Sequence, residues 1–156
     1  MEHHVVHAPS IPRPMGHYSQ VVRAGDLLFI AGTPGIDLSA GVDTSTARAV
    51  PGDFETEARK AFENLKATLE GAGSGLEHVV KITTFLSDVK DGVVTNRLVA
   101  EYFPVDPPAR STPIVGLPRD LRISIEAIAV CPDRRTEASP RRKTPGRRLV
   151  AVGRDA

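Results

Sequence analysis

The run from Leu121 to Val130 constrains this chain more than any other segment, because it reads as a strand that is largely apolar on both sides. With the two-residue period of an extended backbone, Ile123, Ile125, Ala127 and Ala129 fall on one face, and Ser124, Glu126, Ile128 and Val130 on the other. Both faces need cover. The remaining sequence offers two helices, which can cover one face of a sheet. A single domain with no further element to spare then calls for association of identical subunits to bury the second face.

The rest of the chain supplies the sheet and its cover. Gln20 to Arg23 and Leu27 to Ala31 are short β-like runs around Ala24-Gly25-Asp26, a hairpin signal. Gly32-Thr33-Pro34-Gly35 ends the second run, and a polar segment, Asp37 to Thr46, is expected as a loop, with a short strand near Ala47 to Val50. Asp53 is a good helix N-cap, with Glu55 and Glu57 in the first turn where the helix dipole favours anions. Ala58, Phe62, Leu65 and Leu69 recur at helical spacing, and Gly71-Ala72-Gly73-Ser74-Gly75 stops the helix. That glycine cluster follows a helix instead of joining a strand to one, so it reads as a C-cap and turn and not as a phosphate loop. Val79 to Leu86 reads as a buried strand, Asp88 to Tyr102 as a second helix ended by Pro104, and Arg110 to Leu117 and Leu121 to Val130 as the last strands. The order β-β-(β)-α-β-α-β-β predicts an α+β fold.

Three segments are expected: an irregular lead-in over residues 1–14, a folded domain over 15–131, and a basic, disordered tail over 132–156. The net charge of +1 hides a split, because from Cys131 onward eight bases face three acids. That leaves residues 1–130 at a net −4. The tail therefore says nothing about what the body binds. Aromatics make up only 4% and no base-stacking platform is visible, so a nucleic-acid partner is disfavoured. No apolar run approaches the length of a membrane span and no signal-peptide pattern opens the chain, so the expectation is a cytoplasmic protein without a membrane partner. His3, His4 and His7 have no nearby fourth ligand, which argues against a metal site. The single cysteine, Cys131, reads as a passive thiol at a strand end.

Chemistry is concentrated in one place. Pro107-Pro108-Ala109-Arg110-Ser111-Thr112 presents an arginine on a proline-stiffened approach, and Glu126 lies sixteen residues further on within an apolar strand. A strand, turn and return strand could bring the two together. A planar guanidinium holds a carboxylate through two parallel hydrogen bonds, and a glutamate can move protons beside it.

A family pattern runs through these residues. Met15-Gly16-His17-Tyr18-Ser19-Gln20, Phe29-Ile30-Ala31-Gly32-Thr33, Glu63-Asn64-Leu65, Val79 to Leu86, Asn96, Pro108-Ala109-Arg110-Ser111-Thr112 and Ile125-Glu126-Ala127-Ile128-Ala129 occur in order between about residues 15 and 130. Together they closely resemble the Rid (YjgF-type) reactive intermediate deaminases. The resemblance implies a chorismate-mutase-like α+β fold, with a mixed sheet, two helices on one face, and a homotrimer whose sheets form a central barrel with sites in the clefts between subunits. It also implies a hydrolase acting on C=N bonds, which converts enamines and 2-imino acids of the 2-aminoacrylate and 2-iminopropanoate type to 2-oxo acids and ammonia, with no metal or organic cofactor.

Carried over residue by residue, the resemblance makes Arg110 the carboxylate clamp and Glu126 the residue that handles water. Tyr18, Ala31, Gly32 and Thr112 become parts of the substrate pocket. Thr112 stands where well-known members often have cysteine, and supplies the same backbone carbonyl. Ala31 stands where they have serine, which removes a hydroxyl and bears on the substrate more than on the reaction class. The alternatives are a pathway-specific deaminase, such as one acting on 2-aminomuconate or a biosynthetic tailoring protein, a noncatalytic 2-oxo acid sensor, and an RNA-binding protein or ribonuclease.

Overall fold

A computed structural model of the chain describes residues 2–11, 13–14, 16–38 and 48–132. The expected loop over Asp37 to Thr46 lies mostly outside these residues, and the expected tail lies outside them beyond Pro132. Six strands form one mixed sheet: β1 (His3–Val5), β2 (Val21–Ala24), β3 (Leu27–Pro34), β4 (Val79–Leu86), β5 (Ala109–Ser111) and β6 (Ile123–Val130). Their spatial order is β1-β2-β3-β6-β4-β5, with every pair antiparallel except β4 and β5. The helices are α1 (Phe54–Gly71) and α2 (Gly92–Tyr102). The α+β architecture is the one the element order predicts.

The β2–β3 hairpin turns through Gly25, whose φ of 62° lies in the left-handed region open to glycine. The Asp53 carboxylate accepts from the Thr56 amide at 2.9 Å and the Thr56 hydroxyl at 2.7 Å, capping α1. These two bonds hold the Asp53 carboxyl below its usual range. Ala58, Phe62, Leu65 and Leu69 are fully buried against the sheet, as their spacing predicts. At the other end of α1, the Gly73 amide donates to the Glu70 carbonyl, with Gly73 at a φ of +78°. This is the expected C-cap. Phe62 also stacks on Tyr102 of α2, ring centroids 4.7 Å apart. Arg59 and Arg97 both pair with Glu55, and Arg59 also pairs with Glu101, so charge joins the two helices on the outside.

Three expectations need correction. The lead-in read as irregular contains β1, which pairs His4 with Arg23 and covers the edge of β2. A run of three residues is too short to show a period, and pairing of an open edge decides it. The strand expected over Arg110 to Leu117 is only Ala109–Ser111, because Pro113 has no N–H to offer a ladder. Beyond it, the Pro113 carbonyl accepts from Leu86 N and Val115 N donates to the Leu86 carbonyl, which ties the segment to the end of β4. The short strand expected near Ala47 to Val50 is a single bridge between Ile36 and Ala49. In a smaller adjustment, the second helix is preceded by a separate 3₁₀ turn, Val89–Asp91, capped by the Asp88 carboxylate.

One charge lies in the core. Glu57 is completely buried and accepts from Arg122 N at 2.7 Å, Arg122 Nε at 2.6 Å and Ile123 N at 3.4 Å. It clips the start of β6 to the first turn of α1. Asn64, also buried, donates to the carbonyls of Pro34 and Ile36 at 2.9 and 2.8 Å and so fixes the end of β3 against the same helix. Gly35 is required at that crossing, since a Cβ there would lie 2.1 Å from the Glu57 carbonyl oxygen.

Candidate functional site

Both helices pack on one face of the sheet, against Leu28, Ile30, Ile82, Ile123 and Ile125 among others. On the other face Leu27, Phe29, Val80 and Val130 stay exposed, Phe29 to 42%. The six residues singled out in the sequence are distributed over this open face and one edge, in three places.

The first place is a bulge. The β3–β6 ladder pairs Ile30 with Ala127 and Thr33 with Ile125, so Ala31 and Gly32 together stand opposite Glu126. One extra residue in β3 places Ala31 and Gly32 beside two different cavities. Ala31 lines a cavity of about 360 Å³ with Glu126, Lys81, Thr83 and Ser19. Gly32 lines a second cavity, of about 320 Å³, with Tyr18, Ser124 and Arg119 between walls that include Leu117 and Leu121. Arg119 and Asp120 hold φ values of 59° and 57°, a left-handed pair without glycine that shapes the wall of this second cavity.

The edge strand β5 is the third place: it carries Arg110, and Thr112 follows it directly. Arg110 Nη2 donates to Asn96 Oδ1 on α2 at 2.5 Å. The hydroxyl of Thr112 meets that of the buried Thr84 at 2.9 Å. Between them, Ser111 accepts a 3.0 Å hydrogen bond from Lys81 Nζ, which also donates to the Ile82 carbonyl. Side chains from β4 and α2 therefore hold a strand of only three residues in place.

Arg110 and Glu126 are not joined by a strand, turn and return strand. β4 lies between β5 and β6, which puts their backbones roughly 9 to 10 Å apart. Arg110 is level with Ile82 and Ala127, on the helix side, whereas Glu126 is level with Thr83 and Ser111, on the open side. The parallel β4–β5 pairing overrides the local hairpin expectation, because the turn after Thr112 runs past the end of β4 to reach β6. Within the chain the structure brings Ala31 to Glu126 and Tyr18 to Gly32, and keeps Arg110 and Thr112 apart from both pairs.

Ser124, Arg119 and Lys81 escaped the sequence reading of the site. For Ser124 a signal existed, since strand alternation sets it on the same face as Glu126, but a serine among apolar residues carries no charge to draw notice. Cys131 is buried, with its sulfur near the carbonyls of Ala72 and Gly73. His3 and His4 lie in β1, and among the described residues no group of three or more metal-binding side chains converges. No helix among these residues is long and apolar enough to cross a membrane.

A mixed sheet with two helices on one face, and cavities along its open face beside a β-bulge, defines a class of small α+β folds. Within that class the chain belongs to the family described as Endoribonuclease L-PSP, the YjgF/RidA/RutC group, whose model matches residues 8–131. It is 41% identical over 126 residues to a RutC family protein of Pyrococcus horikoshii, covering 80% of this chain and 95% of that protein. It is 37% identical over 127 residues to the 2-iminobutanoate/2-iminopropanoate deaminase of Mus musculus, covering 81% and 90%. Among solved structures it resembles RidA from an Antarctic Psychrobacter, with a TM-score of 0.71 at 31% identity over 81% of this chain and 98% of that one.

Proposed function

We propose that the chain hydrolyses 2-imino acids, and the enamines that tautomerise to them, to 2-oxo acids and ammonia. The observation that carries this reading is the placement of an exposed arginine on a side-chain-braced edge strand, in a fold whose opposite face offers largely apolar cavities with a few polar side chains, Glu126, Lys81 and Ser124 among them. Relatives named as deaminases of such imines support it. In the proposed assembly, a homotrimer, Arg110 and Thr112 of one subunit meet the open face of the next. This arrangement lets a guanidinium and a carboxylate that lie on opposite faces of one sheet serve a single substrate.

Arg110 holds the substrate carboxylate through two parallel hydrogen bonds and so fixes the C=N carbon. Water adds to that carbon as Glu126 takes one of its protons. Glu126 passes that proton to the nitrogen, giving the neutral carbinolamine, and then moves the hydroxyl proton to the nitrogen as the C–N bond breaks, leaving C=O and ammonia. Acid–base help of this kind is worth roughly 10² to 10⁴ in rate. The family description raises ribonuclease activity as the other reading. The net −4 over residues 1–130 opposes it, since phosphate binding needs cations.

The test is a panel of imines made in place by an amino-acid oxidase, with ammonia release followed for wild type, Arg110→Lys and Glu126→Gln. The expected result is faster release than spontaneous hydrolysis, loss of substrate affinity in Arg110→Lys, and loss of turnover in Glu126→Gln. No acceleration for any imine, with Arg110→Ala indistinguishable from wild type, would sink the proposal. RNA cleavage that persists without residues 132–156 would favour the ribonuclease reading.

A further inference from the structure

The cavity beside Gly32 is lined by charge of one sign. Its polar side chains are Tyr18, Ser124 and Arg119, set between apolar walls that include Leu117 and Leu121, and among the described residues no carboxylate lines it. The cavity beside Ala31 holds Glu126 instead. Residues 1–130 carry a net −4, so a cavity whose only acid or arginine is Arg119 departs from the charge of the body around it. Arg119 is half-buried, at a φ of 59° in a turn that the Leu121 amide closes onto the Pro118 carbonyl at 3.3 Å. Leu121, itself buried, anchors that turn. A left-handed backbone without glycine costs free energy, and such residues cluster where a side chain is aimed at a ligand.

We infer that this cavity receives a second carboxylate, at the end of the substrate's side chain, so that the preferred imines are those of dicarboxylic amino acids. For its reaction this inference rests on the deaminase reading. A guanidinium matches a carboxylate with paired N–H donors, and the hydroxyls of Ser124 and Tyr18 can donate to the same group. Ser124 and Glu126 lie roughly 7 Å apart along β6, with the Ala31–Gly32 bulge dividing their cavities. Three C–C bonds of about 1.5 Å each, and a hydrogen bond of about 2.8 Å at the far end, span that step. The C=N carbon then faces Glu126 and the water it deprotonates, the methylenes cross Gly32 towards Leu117 and Leu121, and the second carboxylate ends beside Arg119. The reverse placement would set that carboxylate against Glu126, like charge on like. Glycine suits the crossing, since a Cβ at Gly32 would stand 2.8 Å from the Ser124 oxygen.

The experiment compares the imines derived from glutamate, alanine and leucine, each made in place by an amino-acid oxidase, with thermal melting as a check of folding. In wild type the glutamate imine should have a kcat/KM roughly tenfold or more above the other two. Arg119→Gln should cut the glutamate-to-alanine ratio by roughly tenfold, Arg119→Lys should restore part of it, and Ser124→Ala should lower it by about threefold or more. No preference for the glutamate imine, a preference for the leucine imine, or a ratio that Arg119→Gln leaves within about twofold of wild type would overturn the inference. If wild type turns over no imine, the deaminase reading fails by itself, and the cavity is judged by calorimetric binding of 2-oxoglutarate and pyruvate. Binding of 2-oxoglutarate at least about fivefold tighter than pyruvate, with the difference lost in Arg119→Gln, supports the second carboxylate, and equal binding of the two refutes it.

Discussion

The two faces of the sheet are made by the same strands, yet they are finished differently. On the helix side every large apolar residue of β6 is buried, and a buried acid, Glu57, accepts three hydrogen bonds from Arg122 and Ile123 where that strand begins. On the open side Phe29 and Val130 remain exposed, and Lys81, Glu126 and Ser124 project among apolar neighbours into cavities. A buried charge is tolerable where its partners are complete. Polar groups beside open cavities keep capacity for a ligand. The contrast teaches that the helices complete one side of the fold, whereas the open face is left uncovered within the chain.

Breaking the closed face should have the largest effect. Glu57→Ala leaves Arg122 Nε and the amides of Arg122 and Ile123 without this acceptor, although Arg122 Nη2 keeps the carbonyls of Gly52 and Asp53, and is expected to cost about 3 to 5 kcal/mol, measurable as a lower midpoint in urea unfolding. The open face should respond through assembly and not through folding. Phe29→Asp is expected to cost each chain about 1.5 to 3 kcal/mol of association, seen as a shift toward single subunits in sedimentation with the circular dichroism spectrum retained. A retained assembly would remove the idea that this face is an interface.

Between the faces lies the edge strand. Lys81→Met removes the 3.0 Å bond to Ser111 and should loosen the strand that carries Arg110. The expected loss is about 0.5 to 1.5 kcal/mol of ligand affinity, read by calorimetry with a 2-oxo acid. The smallest effect concerns Asp91, in the 3₁₀ turn before α2. Burial, reinforced by the Asp88 carboxylate, pushes its carboxyl above the usual value of 3.8. A raised acid pKa means that the folded state resists ionisation, so the penalty is absent below the unfolded value and complete above the folded one. Asp91→Asn should therefore raise the melting temperature at pH 7, by under about 1 kcal/mol in stability after allowing for solvent screening. The gain should vanish as pH falls below about 4.

Much of this architecture was legible because it depends on local periodicity. The alternation of Ile123, Ile125, Ala127 and Ala129 gave the buried face of β6, and the spacing of Ala58, Phe62, Leu65 and Leu69 gave the inner face of α1. Asp53 and the glycines after Leu69 marked where that helix starts and stops. The candidate site was legible only as residue types. Arg110, Glu126, Tyr18, Ala31, Gly32 and Thr112 could be named, but their grouping depends on strand order and on a bulge, and neither has a local signature. Glu57 shows the same limit in reverse, since it read as a first-turn acid favoured by the helix dipole and is in fact a buried clip.

The sequence by itself determined both helices and the long strands β3, β4 and β6, and that β6 would be apolar on both faces, because periods of 2 and 3.6 residues are written directly in the order of side chains. Tertiary structure alone decided that β4 lies between β5 and β6, that Arg110 and Glu126 occupy opposite faces, and that Ser124 shares a cavity with Tyr18. The reason is that strand order and register are settled by the competition of whole elements for one core, at distances along the chain where no local pattern reaches.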